Sequence, residues 1–557
     1  MSLAYTPNND ERDHDDFHLS IVPDDPDPVF DTSDADSLAL YVERASLADD
    51  AKNLRSHARV AYLAAAECVD RFIHVAGLGW FSWDGKRFVT DIEDKAITRA
   101  VVRVIGDLAP QALGDKELLS DLVRSQTSSG LAGVVGLMST IESLTATVAE
   151  LDADPYLLNT PAGVLNLREL EQVDWDSLTV HPHSPAYRMT QITRGSYDPF
   201  AQSELWHRFL TRSLPDEGVR CYMQQTTGVG LIGEQPEHTL PIHTGKGRNG
   251  KGVSYSAILH ALGDYAAVAN PNLFNVDRNA TADKPNPALL DLRGRRLVFM
   301  SETAKSAEMD AAKIKALTGG DPIKARGVHS KTTVEFYPSH LLVLITNHAP
   351  QLPADDPAVW ERVRNVPWDV VVPPAERDPR LGNKLRAETD GILMWALRGL
   401  EEYLRSGLTP PARVAEATQE YKSAQDTVTN FIEERCEDGC SDRESEPTKV
   451  LHVDYQRYCR ANGVMREHIL GERDFGSRLD QLGYPSKKSG SRRFRQGLRV
   501  LLDDDEAHGA DLRREEAARI AKLYQMGRRP DADTGSDDQT HTASSTDVSG
   551  GNAPVPA

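Results

Sequence analysis

Between residues 236 and 370, short apolar runs alternate with stretches whose apolar residues recur every three or four positions. That alternation predicts strands and helices in turn, the pattern of a parallel-sheet nucleotide-binding domain. Upstream, RSHARVAYLAAAECVDRFIHVAG carries helical periodicity through about residue 78, and GWFSWDGKRFVTD predicts a hairpin around Asp84-Gly85. Helical patterns fill 92–150. LDADPYLLNTPAGVLNLREL predicts short strands around Pro161-Ala162-Gly163, and SELWHRFLTRSLPDEGVRCYMQQTTGVGLIG is helical again. Pro-rich breaks at 372–379 and 409–411 precede a helical piece and a small α+β unit reaching residue 500.

The formal charge of −21 on 557 residues argues at first sight against a polyanionic partner. It is concentrated at the ends. Residues 1–50 hold fourteen Asp and Glu against two Arg, and 503–557 hold twelve against six Lys and Arg, leaving the body at about −3. Acidic stretches with Pro, Ser and Gly are expected to be disordered tails, so local basic patches decide the partner. With 39% hydrophobic and 26% charged residues, the composition is that of a globular protein. No apolar run approaches the ~18 residues of a membrane span. The start, MSLAYTPNNDERDHDD, lacks a basic lead and apolar stretch, so the expected location is the cytoplasm. Five cysteines, an odd number, argue against a disulfide framework. Cys436-x3-Cys440, with His452 and Cys459 following, is too loosely spaced to predict a zinc site.

The strongest chemistry lies in TLPIHTGKGRNGKGVSYSAILHALG. A strand from Thr239 to Thr244 enters a loop of Gly245, Lys246, Gly247, Arg248, Asn249, Gly250, Lys251 and Gly252, and a helix follows. Strand, Gly-x4-Gly-Lys and helix in that order are the context of a phosphate-binding loop. Glycines let backbone N–H groups turn inward as an anion cradle, and the helix N-terminus adds its positive end. Lys251 is placed to reach the β- and γ-phosphates of ATP. Gly252 departs from the pattern, for a magnesium-ligating Ser or Thr normally follows the lysine. Ser254 is expected to face away, so either water replaces the hydroxyl or nucleotide binding is weaker.

Further on, RGRRLVFMSET ends an apolar strand at Ser301-Glu302, where an acid suits magnesium, held through water, and orientation of the attacking water. HLLVLITNHAPQLP ends another strand at Thr346-Asn347, and Asn347 suits a polar sensor of the γ-phosphate. DDPAVWERVRNVPWDV places Arg362 and Arg364 on a segment expected to be exposed, as an arginine finger toward a neighbouring subunit requires.

GKGRNGKG, RRLVFMSE, KIKALTGGDPIKARGVHSK, the strand ending ITN and WERVRNVPW together resemble the superfamily 3 helicase core, and more closely the primase-helicases of satellite phages and poxviruses. WFSWDGKRF and LLNTPAGVLNL resemble that family's N-terminal accessory domain, so the likeness covers about 60–500. The resemblance implies an α/β P-loop ATPase core of AAA+-like type, flanked by an α+β accessory domain and a C-terminal winged-helix-like domain. The implied organisation is a disordered acidic segment over 1–50, the accessory domain over 51–200 and a helical collar or linker over 201–235. The ATPase domain then spans 236–405, a helical linker and winged-helix-like domain 406–500, and an acidic, largely disordered tail 501–557.

In that family a hairpin projects into the ring's pore, and the matching stretch here, Ile323 to Phe336, places Lys324, Arg326, His329 and Lys331 toward DNA phosphates. Lys487, Lys488, Arg492, Arg493 and Arg495, interleaved with Tyr484 and Phe494, form the densest basic cluster of the body and are expected to touch DNA as a wing does. The function so implied is an ATP- and magnesium-dependent DNA helicase of phage or plasmid replication. It would form a homo-hexamer around single-stranded DNA, act at a fork or origin duplex, and be served by a separate primase. Three other readings stay open: a primase that also makes primers, a DNA-binding protein with a degenerate ATPase, and a remodelling chaperone. Residues 1–60 are too short and acidic to house a polymerising domain, which disfavours the first.

Overall fold

Five segments of the computed structural model lie side by side as a wholly parallel sheet: β1 (Leu240–Thr244), β2 (Ala266–Ala269), β3 (Leu297–Ser301), β4 (Leu341–Thr346) and β5 (Val363–Pro367). Their order is β5-β1-β4-β3-β2. The structure describes residues 35–501 apart from 275–285, 302–308, 327–332, 354–355, 439–444, 465, 467–468 and 490–491. Alternate side chains of the inner strands enter two different cores. Leu297, Phe299, Leu341, Val343 and Ile345 join one cluster, whereas Val298, Met300, Leu342, Leu344, Leu240 and Ile242 join another. Strands covered on both faces must be apolar at every position, which is why they read as continuous runs.

Helices α1 (Glu204–Ser213), α2 (Glu217–Val229), α3 (Lys251–Leu262) and α4 (Thr389–Ser406) contribute to the first of these cores. Helices α2 and α4 meet at glycines. A Cβ on Gly228 would lie 2.2 Å from Leu400 N, and one on Gly399 2.1 Å from Gln224 O. The stretch 201–235, expected as a collar or linker, is therefore part of the sheet domain's own core: Trp206, Phe209, Tyr222 and Met223 are buried in it. Helix α5 (Ala412–Gln425), expected in the following linker, also belongs to the sheet domain. Its stripe Val414, Ala417 and Tyr421 is buried, and Tyr421 meets Trp360 edge-on at 5.3 Å.

The N-terminal region combines helices with small sheets. Helix Ala35–Ala51 packs against Ser56–Cys68 through Leu47, with Leu40 and Ala48 beside it, so the expected disorder of 1–50 does not extend through its last third; residues 1–34 lie outside the described ones. The helix expected through residue 78 ends at Cys68. Asp70 takes a left-handed φ of 71°, and Phe72–Val75 becomes a strand antiparallel to Gly79–Trp83. Both expected hairpins form: Gly79–Trp83 with Phe88–Thr90, and Leu157–Thr160 with Gly163–Asn166. Arg296, 2% exposed, ties this region to the sheet by donating to Leu157 O at 2.7 Å while its guanidinium lies over the Tyr265 ring.

A second unit begins at Val428. Its helices Thr427–Arg435, Thr448–Ala461 and Glu472–Gln481 close around Phe431, Tyr455, Cys459, Phe475 and Leu479. Strands Ser486–Ser489 and Arg492–Gln496 follow as an antiparallel arm, and Ser445–Pro447 pairs with residues 494–496 as a third strand. Cys436 and Cys459 are in that apolar core, while Cys440 lies outside the described residues. Among the described residues, no helix is long and apolar enough to cross a membrane.

Candidate functional site

At the carboxyl end of β1 the chain turns through Gly245–Gly250 into α3. Gly247 and Gly250 have φ of 83° and 94°, a region that L side chains avoid. A Cβ on Gly245 would lie 2.3 Å from Asn249 Nδ2 and 2.4 Å from Trp368 O, so the loop has no room for another residue there. Lys246 and Arg248 are exposed on it, and Asn249 and Lys251 are buried.

Lys251 is the electrostatic centre of the loop. Its Nζ donates to Gly245 O at 2.7 Å and to Asn347 Oδ1 at 3.3 Å. Among the described residues, no carboxylate comes within ion-pair range of it. Burial alone brings its pKa down to about 8. Lys251 is 4% exposed, and an ammonium whose partners among the described residues are neutral oxygens is poorly compensated, which makes this a place for an anion. The N-terminus of α3 adds its positive end.

The loop is braced from β5. Trp368 N donates to Thr244 O (2.8 Å), Trp368 O accepts from Asn249 Nδ2 (2.9 Å), and the indole Nε1 donates to His243 Nδ1 (3.1 Å). Burial first, and the Lys251 charge second, press the His243 pKa down to about 3, so its ring is a neutral acceptor. Thr244 Oγ1 donates to Asn365 Oδ1 (2.7 Å), and Asn365 Nδ2 donates to Ala417 O of α5 (3.1 Å). Val372 N closes on Arg248 O at 2.9 Å. Sequence reasoning missed this brace. Its signal was three polar or aromatic residues, His243, Asn365 and Trp368, set among strand residues with no solvent to face.

Of the expected site residues, the structure brings together the loop, Lys251 and Asn347, whose exposed side chain stands at the loop's mouth. Gly252 is open: a Cβ there would meet only Tyr255, at 3.8 Å. Ser254 Oγ is turned inward and donates to Lys251 O. Glu302 lies outside the described residues; β3, which leads to it, ends at Ser301 paired with Ile345. The segment of Arg362 and Arg364 is not the exposed stretch expected. Val363 to Pro367 is the edge strand β5, buried at Val363, Asn365 and Val366. Arg362 is half-buried at its start, donating through Nε to Thr318 Oγ1 (3.2 Å) and through Nη1 to Ala358 O (2.7 Å).

The arms of the expected hairpin form, with Ile323–Ala325 antiparallel to Val334–Phe336. Lys324 pairs across the arms with Glu335 at 3.5 Å, Arg326 is half-buried, and His329 and Lys331 lie outside the described residues. In the C-terminal arm, Lys487, Lys488, Arg492 and Arg493 are exposed. Arg495 is a correction. It is 2% exposed and pairs with Asp480 while donating to Tyr484 O and Gly476 O, each at 2.8 Å. Three acceptors occupy it, so it braces the fold instead of meeting a ligand.

A parallel α/β sheet that ends, at the carboxyl edge of its strands, in a tight glycine loop around a buried cation defines the chain's class: ligands of such sheets bind at that edge. Three family profiles match in chain order: D5 N terminal like over 61–215, a family of unknown function over 243–362, and poxvirus D5 protein-like over 423–503. A putative helicase of Frog virus 3 is 30% identical over 244 residues, 41% of this chain and 25% of that one. One of Acanthamoeba polyphaga mimivirus is 27% identical over 241 residues, 40% and 25% of the two chains. A putative primase of African swine fever virus is 25% identical over 385 residues, 64% and 39%. The matches thus span from a quarter to about two fifths of these relatives' own length. The apo A form of the NrS-1 C-terminal region aligns over 78% of this chain and 96% of that one at 10% identity, with a TM-score of 0.39, a likeness too loose to carry the fold. Segments of the chain are thus similar to D5-type proteins, and the viral relatives they match are named as helicases and primases.

Proposed function

We propose that the chain is an ATP-driven DNA helicase motor of superfamily 3 type, working as a homo-hexamer in phage or plasmid replication. The observation that carries this is Lys251, a buried ammonium with no carboxylate in ion-pair range among the described residues, seated in a glycine loop and within reach of Asn347. ATP phosphates lie on Gly245–Gly252, with Lys251 exchanging two neutral oxygens for phosphate oxygens. Asn347 contacts the γ-phosphate or its attacking water, and Glu302 orients that water. Glu302 would also hold magnesium through water, and the ion when bound neutralises phosphate charge; Gly252 brings no hydroxyl to it.

Arg362 acts on a neighbour's nucleotide. In its own chain it precedes β5 at the level of Leu240, whereas the loop follows Thr244, a strand's length of about 15 Å away. It must release Thr318 and Ala358 to do so. The hairpin Ile323–Phe336, with Lys324, Arg326, His329 and Lys331, and the C-terminal wing with Lys487, Lys488, Arg492 and Arg493 hold DNA phosphates. Gly252 favours one second reading, a DNA-binding protein with a weakened nucleotide site.

Lys251→Ala should abolish ATP binding, and Glu302→Gln should bind ATP yet lose turnover, as measured by nucleotide titration and phosphate release. Near wild-type hydrolysis by Glu302→Gln would move the water-orienting role to another acid.

A further inference from the structure

The antiparallel arm Ser486–Ser489/Arg492–Gln496 is charged on both of its faces. Directly opposed residues of an antiparallel pair share a face. Lys488 therefore lies beside Arg493 on one face, while Lys487 and Phe494 share the other with Ser489 and Arg492. Lys487, Lys488, Arg492 and Arg493 are all exposed, and among the described residues none makes an ion pair. The nearest strand-borne acid, Glu446, stands opposite Arg495. A flat phosphate-binding patch needs cations on one face only. Residues 494–496 are also paired with Ser445–Pro447, so the arm is two-stranded only where Lys488 and Ser489 face Arg493 and Arg492. Cations on both faces of that outer part suit phosphates on either side, as between the two backbones that wall a duplex groove; the roughly 12 Å major groove of B-DNA admits a two-stranded ribbon.

The neighbouring helix Glu472–Gln481 has the opposite character. Its first turn exposes Glu472 and Asp474, which would face phosphates if that helix entered a groove. Its remaining acid, Asp480, pairs with the buried Arg495, whose Nη2 also holds Gly476 O; a Cβ on Gly476 would lie 2.9 Å from that nitrogen. Arg495 thus fixes the arm against a helix whose exposed first turn carries two acids to one cation, Arg473, and gives a phosphate groove little to hold.

We infer that this C-terminal unit grips double-stranded DNA through the arm alone, inserted between the two phosphate walls of a groove, without base reading by the helix Glu472–Gln481. The inference rests on the DNA-handling reading above and adds the form of DNA, the element that meets it and the independence from sequence.

Fluorescence anisotropy of the full chain with a short duplex of arbitrary sequence, a second duplex of different sequence and the matching single strand tests it across a salt series. Lys487→Ala/Lys488→Ala and Arg492→Ala/Arg493→Ala should each weaken duplex binding about tenfold or more near 0.1 M salt and flatten the log–log salt slope by about 1.8, equally for both duplexes. Arg473→Ala/Ser477→Ala, on the exposed helix face, should change neither duplex. Thermal melting like that of the parent confirms that the variants fold. Loss of affinity in the helix variant, above all on one duplex only, overturns the inference. So does unchanged duplex binding by both arm variants, which leaves the DNA-handling reading standing. A wild-type chain that binds no DNA removes both.

Discussion

At the scale of the residue, Lys251 is placed for an anion at the expense of the free protein. Its ammonium is desolvated, and its neighbours are the oxygens of Gly245 and Asn347. Lys251→Met, of similar length but uncharged, should therefore stabilise the nucleotide-free protein at pH 7 by about 1–3 kcal/mol while removing all stabilisation by ATP. The pH dependence has a definite sign. The folded pKa of about 8 lies below the unfolded value near 10.4, so between these pH values the unfolded chain binds the extra proton. Wild-type stability accordingly rises across that window, and the advantage of Lys251→Met shrinks. Denaturant titration of both proteins at pH 7 and near pH 10 reads this directly; a variant less stable than wild type at pH 7 would mean that the lysine is well compensated. Lys251 and Asn347 were legible from spacing because strand ends in a parallel sheet converge. Arg495 was not: a basic run looks the same whether a member faces solvent or three backbone and side-chain partners, as this one does.

At the scale of the element, β5 turns the loop from a flexible glycine stretch into a fixed one. The Asn249–Trp368 bond is buried and joins the loop to the residue after β5. Asn249→Ala should cost about 1–3 kcal/mol of stability, because Trp368 O loses its partner, and should weaken ATP binding about tenfold as the loop loosens. Thermal unfolding and nucleotide titration check both; a variant unchanged in each would show that the glycines alone set the loop. The sheet itself was legible, since strands covered on both faces are apolar throughout. Two things were not. Phe72–Val75 carries the aromatic and branched residues of a strand directly after a helix, and only the left-handed turn at Asp70 separates them. Helix α5 follows a Pro-rich break that resembles a domain boundary, yet its apolar stripe returns to β5.

At the scale of the whole molecule, the proposed mechanism needs cooperation between copies of the chain. Arg362 and the loop lie at opposite ends of the sheet, so in the proposed motor a single subunit would not bring both to one nucleotide. Arg362→Ala should bind ATP nearly normally and hydrolyse it slower by about 10³ or more. Mixed with Lys251→Ala, it should regain part of that turnover, because an intact loop can then sit beside an intact arginine; two proteins that stay inactive when mixed would argue against shared sites. The matches cover a quarter to about two fifths of longer relatives. The most direct test is steady-state ATP hydrolysis by the wild-type chain with and without single-stranded DNA, beside Lys251→Ala. Turnover that rises severalfold with DNA and vanishes in the variant is the predicted result. Turnover indifferent to DNA, or undetectable in both proteins, would contradict the assignment of a DNA-driven motor.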